Sequence, residues 1–207
     1  MNSLANWAFA ATEWITKFAY INILWIGFSL AGLIVLGFFP ATIAMFTIIR
    51  KWLKGESDIP IFRTFWTTWK SEFFRSNGFG LLVDTVVGLI VFNLVFVERS
   101  GNGFISAIQI SIYLFMFASI MTILYLFPVY VHFELKWFQM VKNSFLMMLI
   151  SPIENIVMIA GVVAVLFVVK LIPALGFFFG GSLTAAIIMS VAYLVFGKMD
   201  RKRRVTE

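Results

Sequence analysis

One carboxylate stands alone in an otherwise uncharged stretch: Asp84 is the only charged residue in 78–97. In a run of that length a carboxylate costs a few kcal/mol on insertion scales, and ionisable groups there mark solute paths, proton relays or internal ion pairs. The alternative role is that of a buried polar anchor, neutral or paired with a cation at the same depth, for which Arg50, Lys51 and Lys142 qualify. Asn93 on the same run and Gln109 on the next are the other candidate substrate-lining groups, and Ser106, Ser111, Ser119 and Thr122 give that next run a weakly polar face. Interhelical hydrogen bonds from such side chains average under ~1 kcal/mol each, which orients helices without defining a ligand.

Enzyme chemistry would need other constellations. The chain has no Gly-rich phosphate loop, no zinc-protease helix motif and no serine in a nucleophile-elbow context. His132 and Glu134 are two apart and so point to different sides of a helix. With no cysteine and one histidine, disulfides and thiolate metal sites are excluded. The expectation is a protein with no catalytic residues, no metal and no cofactor.

The elements that carry these groups are apolar helices. Hydrophobic residues make up 61% of the 207, aromatics 18% and charged residues 13%, too little charge to solvate a globule of this size. Apolar runs recur at 19–49, 78–97, 104–131 and 171–197, uncharged but for Asp84, where ~20 apolar residues suffice to cross a bilayer. Backbone groups cannot be hydrated in hydrocarbon, so each run is expected to be helical. The fold class expected is an all-α polytopic membrane protein, one membrane domain over 1–207, whose first partner is the lipid bilayer. The net charge of +6 gathers at the ends of the apolar runs rather than among exposed aromatics, which reports orientation and excludes nucleic acid as a partner.

The run 19–49 is ~46 Å long as a straight helix, more than a bilayer core is thick. Gly37 and Pro40 supply a break, since proline removes a backbone donor and glycine permits unusual dihedrals. Two topologies follow: a span 19–37 with a kinked extension, giving five spans, or a tight external corner at Gly37–Pro40 and a short second span 40–53, giving six. The remaining spans are 78–97, 104–131, 152–170 and 171–197. Ser151, Pro152 and Glu154 read as N-cap, first helical position and capping-box acid, with Glu154 bonded back to the Ser151 backbone N–H. Aromatics and charges interleave at helical spacing in 60–76 and 133–150, which predicts two amphipathic helices lying along the cytoplasmic surface. Leu4, Trp7, Ala11, Trp14 and Phe18 form one stripe, expected to be an interfacial helix leading into the first span, the alternative being that it simply extends that span. Gly176 and Gly180 form a GxxxG pair.

Lysine and arginine cluster in three segments: Arg50, Lys51, Lys54, Arg63, Lys70 and Arg75; Lys136 and Lys142; and Lys198, Arg201, Lys202, Arg203 and Arg204 in a basic tail, 198–207. Cytoplasmic loops carry the positive excess. All three therefore face the cytoplasm, C-terminus included, leaving Arg99 and Lys170 outside.

Asn22 to Trp25, the stretch Gly37-Phe38-Phe39-Pro40-Ala41-Thr42, Arg50-Lys51-Trp52, Gly55-Glu56 and the segment from Ile59-Pro60 to Trp66 resemble the YesL-like family of bacterial integral membrane proteins of unknown function. Pro128 to His132, and Lys142-Asn143 through Pro152, are similar as well. The resemblance implies a protein of the bacterial cell membrane, found mainly in Gram-positive bacteria and often encoded beside carbohydrate-uptake transporters and polysaccharide-degrading enzymes. It implies no reaction and no catalytic residue. The expected function is a non-enzymatic accessory or regulatory component of carbohydrate uptake, with carbohydrate ABC transporter subunits as the partners. The alternative is a small transporter or channel acting on its own, with Asp84, Asn93 and Gln109 along its path.

Overall fold

The computed structural model describes residues 2–99 and 103–206, with side-chain surroundings for 7–96, 109–199 and 201. The side chains of Leu4, Arg99, Ser106, Lys202, Arg203 and Arg204 lie outside that described set. The described chain is helical, without a strand: α1 Asn2–Ala31, α2 Val35–Leu53, α3 Ile61–Arg99, α4 Gly103–His132, α5 Trp137–Ile150, α6 Pro152–Leu171, and α7 Pro173–Leu175 passing through a π segment, Gly176–Gly180, into α8 Gly181–Thr206. Among the described residues six helices are long and apolar enough to cross a bilayer: Trp7–Ala31, Val35–Leu53, Ile61–Phe96, Gln109–His132, Pro152–Leu171 and Pro173–Met199. Of the two topologies, the six-helix one is the architecture found.

The break in the first run does not fall at Gly37–Pro40. It falls at 32–34, where Leu33 and Ile34 take φ of 60° and 64°, the left-handed region that side chains rarely adopt. Gly37 matters for another reason: a Cβ on it would lie 2.4 Å from the Ser29 carbonyl oxygen, and a Cβ on Gly32 would lie 2.3 Å from the Gly37 Cα. The two helices touch backbone to backbone there. The corner satisfies its own donors, with N–H groups of Gly32, Leu33, Ile34 and Val35 bonded to Phe28, Leu30, Ser29 and Leu33 carbonyls at 3.2, 3.0, 2.8 and 2.7 Å. Its side chains Leu30, Leu33, Ile34 and Val35 are exposed and apolar. A corner that is apolar outside and self-bonded inside is suited to contact with lipid.

Pro40 lies inside α2 rather than ending it. In a helix the residue at Pro40 would donate its N–H to the Leu36 carbonyl, and proline has none to give. The Asn77 side-chain amide takes that place, donating to the Leu36 oxygen at 2.9 Å as well as to its own Phe73 carbonyl at 2.7 Å. Replacing Asn77 with leucine is therefore expected to cost ~1–2 kcal/mol of stability. In a Pro40→Ala background, where residue 40 regains its donor, the loss should shrink markedly. A double-mutant cycle by reversible unfolding in mixed micelles reads the coupling, and additive losses would disprove the compensation.

α2 is the centre of the bundle, burying Ala41, Ile43, Ala44, Met45, Phe46, Ile48 and Ile49. By contrast α6 leaves Ile153, Ile156, Val163, Leu166 and Phe167 exposed. An apolar exterior of that extent has lipid as its solvent.

Three further expectations are corrected. The stripe from Leu4 to Phe18 is not a separate interfacial helix but the first half of α1, with Trp14 and Phe18 edge-on to Trp52 at ring distances of 5.4 and 5.5 Å. The segment 60–76 is not a detached surface helix either: it continues through Gly78 into α3. Its aromatics find protein as well as headgroups, because Phe65, Trp66 and Trp69 surround Phe28 of α1 at 5.1, 5.6 and 5.5 Å. The basic tail 198–207 has no boundary at 198, since α8 runs on helically to Thr206. The second surface helix exists but is shorter, α5, and buries Met140, Ser144, Met147 and Met148.

Ser151 and Pro152 hold their expected positions as N-cap and first residue of α6, yet Ser151 makes no side-chain cap bond. Glu154 does not close a capping box. Its carboxylate is taken by Lys198 of α8, a stronger charge-assisted partner than a backbone N–H.

Candidate functional site

Polar groups concentrate in two places. The first is one end of the bundle, tied together contact by contact. Arg50 at the end of α2 donates from Nε to His132 Nδ1 and from its terminal nitrogen to the His132 carbonyl, both at 3.4 Å. The His132 ring lies 4.5 Å from that of Phe196 on α8. Tyr130 donates its hydroxyl to Glu72 at 2.5 Å, and the Arg75 guanidinium stands 5.1 Å over the Tyr130 ring. Lys17 bonds Glu13 and the Ser57 carbonyl at 2.5 and 3.1 Å, holding α1 to the 54–60 loop. Lys198 pairs with Glu154.

These bonds engage Glu13, Glu72 and Glu154, while Glu56, Asp58 and Glu134 stay exposed, as do Lys70, Arg75, Lys136 and Lys142. Gly78 lets Trp137 lie on α3, since a Cβ there would meet the indole at 2.7 Å. The start of α5 is thereby seated beside the turn of α3 that carries Phe74. Phe74 is 87% and Phe138 80% exposed, and each is flanked in sequence by two exposed cations, Lys70 and Arg75 for the first and Lys136 and Lys142 for the second.

The second place is an open groove of about 410 Å³ on the apolar flank of the bundle, walled by α1, α2, α3, α4 and α8, with Asp84 exposed at its mouth. Trp25, Phe38, Phe39, Phe46 and Phe127 line it, with Asp84 as its one carboxylate. Asp84 bonds to no described residue, so the expected pairing with Arg50, Lys51 or Lys142 is not formed; Arg50 is committed to His132. Asn93 and Gln109 do not join Asp84 there. Asn93 donates to its own Leu89 carbonyl at 2.8 Å and Gln109 to the Tyr113 hydroxyl at 2.9 Å. Ser119 and Thr122 line a separate apolar groove between α3, α4 and α5, each hydroxyl bonded one turn back.

Sequence reasoning missed the asparagines that hold this frame. Asn22, fully buried, donates to the Phe177 carbonyl at 2.6 Å and accepts from the Ser182 N–H at 2.8 Å. Those two groups are the next rung of the π segment, so the Asn22 amide is inserted where the ladder of α8 opens. Asn155 acts alike: it donates to the Met148 carbonyl, left over at the end of α5, at 2.7 Å, and accepts from the Tyr125 hydroxyl at 2.9 Å. With Asn77 against Leu36, three asparagines each mend a broken helix ladder. The available signal was an amide side chain within an apolar run. Gly176 and Gly180 bound the π segment, and a Cβ on Gly176 would meet Val169 of α6 at 2.6 Å, so that glycine brings α6 close.

The bundle, its apolar exterior and its polar end define a multi-pass helical membrane protein. Residues 18–94, from mid-α1 to the end of α3, match the family described as a protein of unknown function, DUF624. The chain belongs to the YesL-like family: it is 36% identical over 203 residues to the uncharacterized protein YesL of Bacillus subtilis (strain 168), covering 98% of this chain and 96% of that one. The uncharacterized proteins YteU and YesV of the same organism are 35% and 32% identical, over 91% and 93% of this chain and 85% and 92% of their own lengths. No solved structure matches the chain.

Proposed function

We propose that this protein is a non-enzymatic accessory component of carbohydrate uptake in a bacterial cell membrane, docking a cytoplasmic segment of a carbohydrate ABC transporter. The observation that carries the reading is the seam where Trp137 meets α3 at Gly78, on either side of which one exposed ring is flanked in sequence by two exposed cations, Phe74 by Lys70 and Arg75, and Phe138 by Lys136 and Lys142. Aromatic anchors with a cationic rim suit a partner helix that is acidic and apolar. The resemblance to the YesL-like family supplies the carbohydrate setting. Affinity purification of the full chain from native membranes in mild detergent should bring down importer subunits, and the paired change Phe74→Ala, Phe138→Ala should remove them. A preparation free of any transporter subunit would reject the reading.

The seam must face the cytoplasm for this, and the arginine and lysine excess at the polar end supports that orientation. The chain has no cysteine, so Val205→Cys creates a single reporter. An impermeant maleimide should leave it unlabelled in intact cells and label it after permeabilisation. Efficient labelling from outside would invert the topology.

A second reading, a small transporter acting on its own, is favoured by the Asp84 groove. Solute flux through the purified protein in liposomes would establish it, and its absence there would remove it.

A further inference from the structure

We infer that the groove around Asp84 is a binding site for a small organic monocation, an ammonium with an apolar or aromatic body. The inference stands apart from the docking reading, since it concerns an open groove along the membrane-spanning part of the bundle and not its polar end. Its first ground is that the other polar side chains of the lining, Trp25, Thr42 and Thr184, are all committed to hydrogen bonds. The Trp25 indole N–H donates to the Thr42 hydroxyl oxygen at 3.0 Å, and that hydroxyl donates to the Phe38 carbonyl at 2.7 Å. The Thr184 hydroxyl is likewise committed to the Gly180 carbonyl at 2.7 Å. A guest therefore meets aromatic rings, aliphatic walls and one carboxylate.

The second ground is that this carboxylate has no internal partner. Asp84 makes no hydrogen bond or ion pair with a described residue, although it sits inside a helix long and apolar enough to cross a bilayer. An ionised carboxylate in such surroundings is stabilised by a cation brought to it, more strongly than in water because the local dielectric is low. The third ground is the aromatic wall. The rings of Trp25, Phe38, Phe39, Phe46 and Phe127 carry negative π faces that attract an ammonium and, in the same contact, bury its methyl or aryl groups.

Size argues the same way. A volume of about 410 Å³ falls within the usual range for small-molecule sites. Neutral sugars would want several convergent hydrogen-bonding groups, and the committed hydroxyls of Thr42 and Thr184 do not supply them. Anions are opposed by Asp84 itself.

The test is calorimetric titration of the purified full-length protein in detergent with benzyltrimethylammonium, set against benzenesulfonate, of similar size and opposite charge. Saturable binding of the cation alone is expected, weakened at least about tenfold by Asp84→Asn and largely kept by Asp84→Glu. The comparison of the two probes on the unaltered protein needs no variant, so it decides the matter even where Asp84→Asn fails to fold. No saturable binding of the cation, equal binding of the sulfonate, or an unchanged affinity in a monodisperse Asp84→Asn protein would each overturn the inference.

Discussion

Asn22→Leu is expected to remove roughly 2–5 kcal/mol of stability, the largest loss from any single polar substitution in this protein. Leucine shares the branched shape of asparagine but is larger and neither donates nor accepts, so the Phe177 carbonyl and the Ser182 N–H lose their partner together. Water cannot replace it. Asn22 is fully buried, and Gly181 presses so close that a Cβ there would stand 3.0 Å from the Asn22 amide oxygen. The two groups form one rung held open by the inserted amide, so both are recovered only if the π segment and α8 close on each other in the space the side chain occupies. Reversible unfolding in mixed micelles, followed by far-ultraviolet circular dichroism, measures the loss. Asn93→Leu is the matched control: Asn93 serves only its own Leu89 carbonyl, and its removal should change stability by less than ~0.5 kcal/mol. Equal losses for the two would refute the role assigned to Asn22.

Gly37→Ala should be comparably severe for a steric reason. A methyl group at 37 would lie 2.4 and 2.6 Å from the Ser29 and Phe28 carbonyl oxygens, and 2.9 Å from the Gly32 Cα. All three are backbone atoms, so no side chain can swing aside and the α1–α2 corner has to open. Overpacking of a rigid contact costs ~1–3 kcal/mol and occasionally more, and here it also strains a turn already holding Leu33 and Ile34 in left-handed dihedrals. The expected outcome is a sharp fall in monodisperse protein recovered in detergent. Gly88→Ala provides the opposite case: nothing lies within 4 Å of its added methyl, and it should gain a few tenths of a kcal/mol through better helix propensity. If Gly37→Ala were as well behaved as Gly88→Ala, the close approach of α1 and α2 would be wrong.

The contrast between those glycines shows where reading the chain residue by residue reaches its limit. Both are glycines in apolar helices, and local pattern treats them alike. Gly37 was singled out beside Pro40 as a place to break the helix, and the pair does mark a special region. Yet the break sits at 32–34, because Asn77, remote in sequence, repairs the rung that Pro40 lacks. Likewise Ser151, Pro152 and Glu154 announce the start of α6 correctly, whereas the partner of Glu154 comes from Lys198. At 60–76 the alternation of aromatics and charges suggested a helix on headgroups. The same alternation equally suits a helix that packs its rings on Phe28 while its charges reach Tyr130, and periodicity cannot tell the two apart.

Among the candidate site residues, Asp84 was conspicuous as a charge within an uncharged run, and that much needed no coordinates. Its surroundings did. The groove that it lines takes walls from five helices, and Asn93 and Gln109, which share its chemistry, are spent on local bonds elsewhere. The sequence by itself determined the solvent, the helical class and the approximate ends of the spans, because transfer of apolar side chains and the demand for internal backbone bonding are sums over local stretches. Only the tertiary structure decided which amides mend which broken ladders, where the α1–α2 corner falls and what Asp84 faces. Those outcomes depend on single directional contacts between residues far apart in the chain, whose energies exceed the local preferences they override.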